Sequence, residues 1–132
     1  DRSNLTRTNH AYVKEKIQLD TLDNIINNNK LSGPYGIKID TEGHELEVLK
    51  GSVDTLKDAQ FVITETSVQK RFENSYGFEE LVCFMKNQGF SVSNVLSSEP
   101  DGQGLVRYVD LLFVRQKDWM LPDTIDRINN IS

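Results

Sequence analysis

Apolar and polar positions alternate along Tyr35-Gly36-Ile37-Lys38-Ile39 and the run stops at Asp40, which predicts a strand ending in an acid. Gly43 then permits a sharp turn that few other residues could make, and Leu46 and Leu49 resume at helical spacing. Val53 and Leu56 extend that helix on the same side, with Gly51-Ser52 interrupting it, and the apolar face suits packing on a sheet. Phe61-Val62-Ile63-Thr64-Glu65 has the composition and length of a buried parallel strand and also ends in a carboxylate. Strand, helix and strand make a βαβ unit, right-handed in nearly all cases, so both strand ends open on one edge of the sheet.

Before this unit, Thr21 stands at an N-cap position ahead of Leu22, Ile25 and Ile26, predicting a short helix closed by Asn27-Asn28-Asn29 and Ser32-Gly33-Pro34. The polar lead-in before it gives no firm element. Beyond the second strand, Thr66 to Gly77 reads as a solvated loop whose Lys70, Arg71 and Tyr76 could hold a substrate. Phe78, Leu81, Val82 and Met85 form a helical stripe closed by Gly89. Phe90 to Leu96 and Tyr108 to Val114 are the last two strands; their polar link is too short for a helical crossover, so the pair is antiparallel. After Trp119-Met120-Leu121-Pro122, Ile125, Ile128 and Ile131 predict a terminal helix.

Composition narrows the function. Fifteen basic against twenty acidic residues give a formal charge of −5, which argues against non-specific nucleic-acid binding but not against a small anion. Cys83 is the sole cysteine, so no internal disulfide forms, and its place in Leu81-Val82-Cys83-Phe84-Met85 predicts a small packed side chain. No apolar run approaches the roughly 20 residues of a membrane span. The polar start Asp1-Arg2-Ser3-Asn4 is no signal peptide, so the expectation is a cytoplasmic protein with sequence missing upstream.

Ile37-Lys38-Ile39-Asp40-Thr41-Glu42-Gly43-His44-Glu45, with Leu46, Leu49 and Gly51 closing the helix, Thr21-Leu22-Asp23 before it and Ile63-Thr64-Glu65 after it, resembles the FkbM family of S-adenosylmethionine-dependent methyltransferases. The resemblance implies an α/β class I (Rossmann-like) methyltransferase sheet whose parallel strands end in an antiparallel pair. The strand at Ile37 would be the fourth, that at Phe61 the fifth, and the final pair the sixth and seventh. The family's glycine-rich turn and ribose-binding acid belong to earlier strands, and no such pattern lies between Asp1 and Gly36. Residues 1–119 are therefore expected to be the C-terminal half of the domain and residues 120–132 a tail.

Asp40 is the candidate for facing the cofactor S-adenosylmethionine and for orienting or deprotonating a small-molecule hydroxyl acceptor, on a sugar-containing compound or a secondary metabolite. Glu42 and Glu65 could complete a cup of carboxylates that positions the hydroxyl or holds a divalent cation, and His44 could shuttle a proton. Two rivals stand beside this O-methyltransferase. One is a metal-dependent hydrolase using Asp40, Glu42 and Glu65; the other is a non-catalytic module that pairs with another chain, or with itself as an oligomer, through the edge of the Ile37 strand.

Overall fold

The computed structural model describes residues 16–115. The first part of the polar lead-in, the Trp119 run, the predicted helix at Ile125–Ile131 and the boundary at residue 120 lie outside the described residues. The elements are α1 (Leu22–Asn28), β1 (Tyr35–Ile39), α2 (Glu45–Lys50), α3 (Val53–Lys57), β2 (Ala59–Ser67), α4 (Phe78–Asn87), β3 (Phe90–Pro100) and β4 (Val106–Arg115). None of these helices is long and apolar enough to cross a membrane.

The four strands form one mixed sheet in the order β1-β2-β4-β3. β1 and β2 are parallel, while β4 is antiparallel to both of its neighbours, so β3 runs with β1 and β2. Helical connections carry the chain between parallel strands, and the short loop after Pro100 reverses it into β4, as the length of that link predicts. Among the described residues β1 pairs on one side only.

Alternation decides which face is core. Ile37, Ile39, Val62, Thr64, Leu111 and Phe113 are buried on one face, against Leu46, Leu49, Leu56, Leu81 and Met85 of the helices. The opposite face carries exposed Lys38 and Phe61 and half-buried Ile63, Leu112 and Val114. The outer end of the Phe61 ring lies against Gly36, where an added Cβ would clash with Cζ. A side chain at Gly36 would therefore displace that aromatic ring.

Two expectations need correction. Val53 is 36% exposed and off the buried face, because the break at Gly51-Ser52 re-phases the helix and buries Thr55 and Leu56 in α3 instead. Cys83 is exposed: the Phe78-Leu81-Val82-Met85 stripe faces the sheet, and Cys83 falls on the other side of α4.

The break is also what gives Thr21-Leu22-Asp23 its structural work. Thr21 caps α1, its side chain accepting from Asn24 N–H. Asp23 caps α3 from a distance, accepting from Thr55 N (2.7 Å), Thr55 Oγ1 (2.6 Å) and Asp54 N (3.0 Å). Burial pushes the Asp23 carboxyl up, but these donors and the nearby Lys57 charge outweigh it and hold it below its ordinary value. Asp23→Ala is expected to cost about 1–2 kcal/mol, the usual worth of a side-chain helix cap. Urea unfolding checks this, and an unchanged midpoint would remove the capping role.

Arg115, at the end of β4, closes the other ends of the helices. Its guanidinium donates to the carbonyls of Leu56, Lys57 (2.7 Å), Ala59 (3.2 Å) and Gln88 (3.1 Å), and it lies 4.3 Å from the centroid of the Phe90 ring. One cation thereby satisfies the last carbonyls around α3 and α4 and fixes them to the sheet.

Candidate functional site

Because Ile39 is in register with Thr64, the carboxyl ends of β1 and β2 emerge together, and Asp40 and Glu65 follow side by side. The chain leaves β1 through Glu42 (φ 57°) and Gly43 (φ 110°), two successive left-handed residues that swing it into α2. That conformation is uncommon for a residue with a side chain and is held only where its surroundings enforce it.

Glu45 enforces it. Buried to 1% exposure at the start of α2, it accepts through Oε1 from Thr41 N (3.0 Å), Thr41 Oγ1 (3.2 Å) and Gly43 N (3.0 Å). Through Oε2 it accepts from the Tyr76 hydroxyl at 2.7 Å, and that hydroxyl accepts from Ser67 N at 3.2 Å. One carboxylate therefore ties the turn after β1 to the end of β2 and the loop before α4. Burial pushes the Glu45 carboxyl up, but the bonds from Gly43, Tyr76 and Thr41 prevail and hold it below its ordinary value. The Tyr76 phenol is pushed up to about 12 by burial and by Glu45, so it stays a donor. Tyr76 is thus a buried strut; the expectation that it could hold a substrate from a solvated loop is corrected.

The structure brings Asp40, Glu42 and Glu65 together, with one oxygen of each lying within 4.8 Å of the others. Asp40 and Glu42 are exposed and Glu65 is largely buried. Oxygens at this spacing suit a divalent cation. Two of the three already hold a cation, however: Arg71 bonds to Glu42 with one guanidinium nitrogen and to Glu65 with the other. Its guanidinium lies 5.0 Å from the centroid of the Tyr108 ring. Burial pushes the Glu65 carboxyl up, and although Arg71 opposes this, the negative charges of Asp40, Glu42 and Asp110 add to it and the net shift is upward.

Lys38 pairs with Asp40 at 3.4 Å, two residues along the chain and on the same face. His44 does not join the acids. It is exposed, makes no side-chain bond to the three carboxylates, and lies against Phe72 with ring centroids 5.4 Å apart. Sequence reasoning missed Glu45 as the organiser of the turn, although a carboxylate at a helix start two residues after a left-handed glycine was a local signal. Arg71 as the clamp on the acids, and Tyr108 beside it, had no local signal.

Thr41 N and Gly43 N are both spent on Glu45 and are not free to hold a cofactor. A Cβ at Gly43 would lie 2.8 Å from the Phe72 ring, so that glycine also accommodates packing. Of the three strand-end carboxylates, Asp40 is the one that Arg71 does not hold, and it is exposed. A groove of about 590 Å³ runs from it along the unpaired edge of β1, lined by Leu22, Ile25, Ile37, Ile39 and Thr41 among others.

Comparison with known proteins bears on this arrangement. A segment of 43 residues is 44% identical to the hexuronic acid methyltransferase AglP of Haloferax volcanii, covering 33% of this chain and 18% of that relative. No solved structure matches the chain. Residues 2–92 match the family described as the methyltransferase FkbM domain, a span that includes the strand-end acids, the Glu45 turn and Arg71, and the chain belongs to that family.

Proposed function

We propose that this chain is the C-terminal half of a class I methyltransferase domain that transfers a methyl group from S-adenosylmethionine to a hydroxyl oxygen of a sugar-containing or secondary-metabolite acceptor. The observation that carries the proposal is the exposed Asp40 carboxylate at the end of a parallel strand, beside two acids whose charge Arg71 offsets. The sheet order supports the class I assignment, with a single reversed strand inserted between two strands of the common direction. The likeness to a hexuronic acid methyltransferase of Haloferax volcanii favours a sugar as acceptor.

S-adenosylmethionine, when bound, would supply an electrophilic sulfonium methyl group for in-line transfer to the acceptor oxygen, with the electron pair of the broken carbon–sulfur bond left on sulfur. Asp40 accepts a hydrogen bond from the acceptor hydroxyl, orients its lone pair, and takes its proton as the oxygen–carbon bond forms. Lys38 pairs with this carboxylate at 3.4 Å on the same face. Glu42 and Glu65 act indirectly by holding Arg71, whose guanidinium occupies two of the three carboxylates. That occupancy counts against a metal-dependent hydrolase.

Isotopically labelled S-adenosylmethionine, incubated with the natural full-length polypeptide and a set of sugar hydroxyl acceptors, tests the assignment. Label is expected in a methyl ether, and EDTA is expected to leave the rate unchanged. Absence of label from every hydroxyl would overturn the assignment, and activity abolished by EDTA and restored by magnesium would return the acids to a cation site.

A further inference from the structure

We propose that the acceptor carries an anionic group on its sugar, and that Lys70 and Arg107 bind it in a pocket beside the strand-end acids. This rests on the methyl-acceptor reading above and names the substrate class. The pocket, about 370 Å³, is lined by Glu42, Gln69, Lys70, Arg71, Arg107 and Tyr108. Its volume falls at the small end of the range for small-molecule sites, about 300–1,000 Å³.

Three cations in one pocket run against the charge of the whole chain, which is −5. They are not equivalent. Arg71 is engaged by Glu42 and Glu65, whereas among the described residues the ion pairs include neither Lys70 nor Arg107. The nearby Asp101 carboxylate does not fill that role. It is occupied by Gln103 N (2.8 Å), Leu105 N (2.9 Å) and the Gln69 amide (3.2 Å), and although the Arg107 charge helps to lower its pKa, no direct pair forms.

Two neighbouring cations repel one another until an anion lies between them, and charge-assisted bonds to a carboxylate or phosphate are about twice as strong as neutral ones. The scaffold beneath them is fixed: the Arg107 carbonyl accepts from Val68 N (2.8 Å) and Gln69 N (3.1 Å), which holds the start of β4 against the chain leaving β2. Tyr108 presents an aromatic ring to the same space, with the Arg107 guanidinium 6.0 Å from its centroid. Glu42 and Arg71 belong to both the pocket and the acid cluster, so an anion held here sets the rest of its sugar beside the acids.

The test is direct binding, with the natural full-length polypeptide titrated with D-glucuronate, glucose 6-phosphate and neutral methyl glucoside. An anionic sugar is expected to bind about tenfold or more tightly than the neutral glycoside, with the preference weakened by salt. Lys70→Gln and Arg107→Gln, both at exposed positions that spare the core, are each expected to reduce that preference without changing affinity for methyl glucoside. The tighter of the two anions tells a carboxylate from a phosphate. Equal binding of charged and neutral sugars, or a preference that survives both substitutions, overturns the inference. Since the readout is binding, loss of the anion preference with methyl transfer retained strikes the pocket alone, and the converse strikes the methyltransferase reading alone.

Discussion

Asp40→Asn in the full-length protein is expected to lower kcat about 100-fold or more while leaving cofactor affinity nearly unchanged. A positioned general base contributes about 10²–10⁴ in rate, and the asparagine keeps the shape of the side chain while losing the ability to take a proton. Stability should hardly move, because Asp40 is exposed and its pairing with Lys38 is a surface contact of the kind worth about 0–1 kcal/mol. Initial rates at saturating acceptor, together with titration of S-adenosylhomocysteine, separate the two effects. An unchanged kcat would remove Asp40 from the chemistry.

The second large effect is on folding. Glu45→Ala removes the acceptor shared by Thr41 N, Gly43 N and the Tyr76 hydroxyl in a buried position. Leaving such donors unpaired typically costs about 1–3 kcal/mol each, so a total of about 3 kcal/mol or more is expected after partial relaxation. Glu45→Gln should cost less, because its amide oxygen can still receive the turn. The pH dependence has a definite sign. The folded Glu45 carboxyl lies below its ordinary 4.5, so its contribution is fully present above that value and is lost as pH falls through the folded pKa. Asp23 acts in the same direction, whereas Glu65, whose carboxyl is raised, contributes with the opposite sign. Urea midpoints at neutral and acidic pH should show a shallower acid loss for Glu45→Gln than for the natural protein. An alanine variant as stable as the parent would contradict the role of Glu45.

Elements set by local rules were legible from the chain. The alternation of Ile37 and Ile39, the Thr21 cap, the left-handed turn at Gly43, the stripe of α4 and the antiparallel final pair all follow from near neighbours. So did the gathering of Asp40, Glu42 and Glu65, because two parallel strands joined by a right-handed crossover present their ends together. What escaped depends on distant partners. Asp23 reaches Thr55 across 32 positions, Tyr76 reaches Glu45 across 31, and Arg115 reaches the Leu56 carbonyl across 59. Cys83 was misjudged because an apolar run says little about side-chain direction; only the helical phase places it outward.

Arg71 changes the chemistry most. Without it, three carboxylates at the strand ends resemble an open cation site; with it, two of them become supports for a fixed positive charge and Asp40 is left as the acid that Arg71 does not hold. Tyr108, next to the guanidinium, and Glu45, holding the turn, then belong to the positioning of that charge.

The most direct measurement is a crystal structure of the full-length protein with S-adenosylhomocysteine and a hydroxyl acceptor bound. The acceptor hydroxyl should lie within hydrogen-bond reach of the Asp40 carboxylate, about 2.6–3.2 Å, with Arg71 still held between Glu42 and Glu65. A hydroxyl bound away from Asp40, or a metal ion among the three carboxylates with Arg71 displaced, would contradict it.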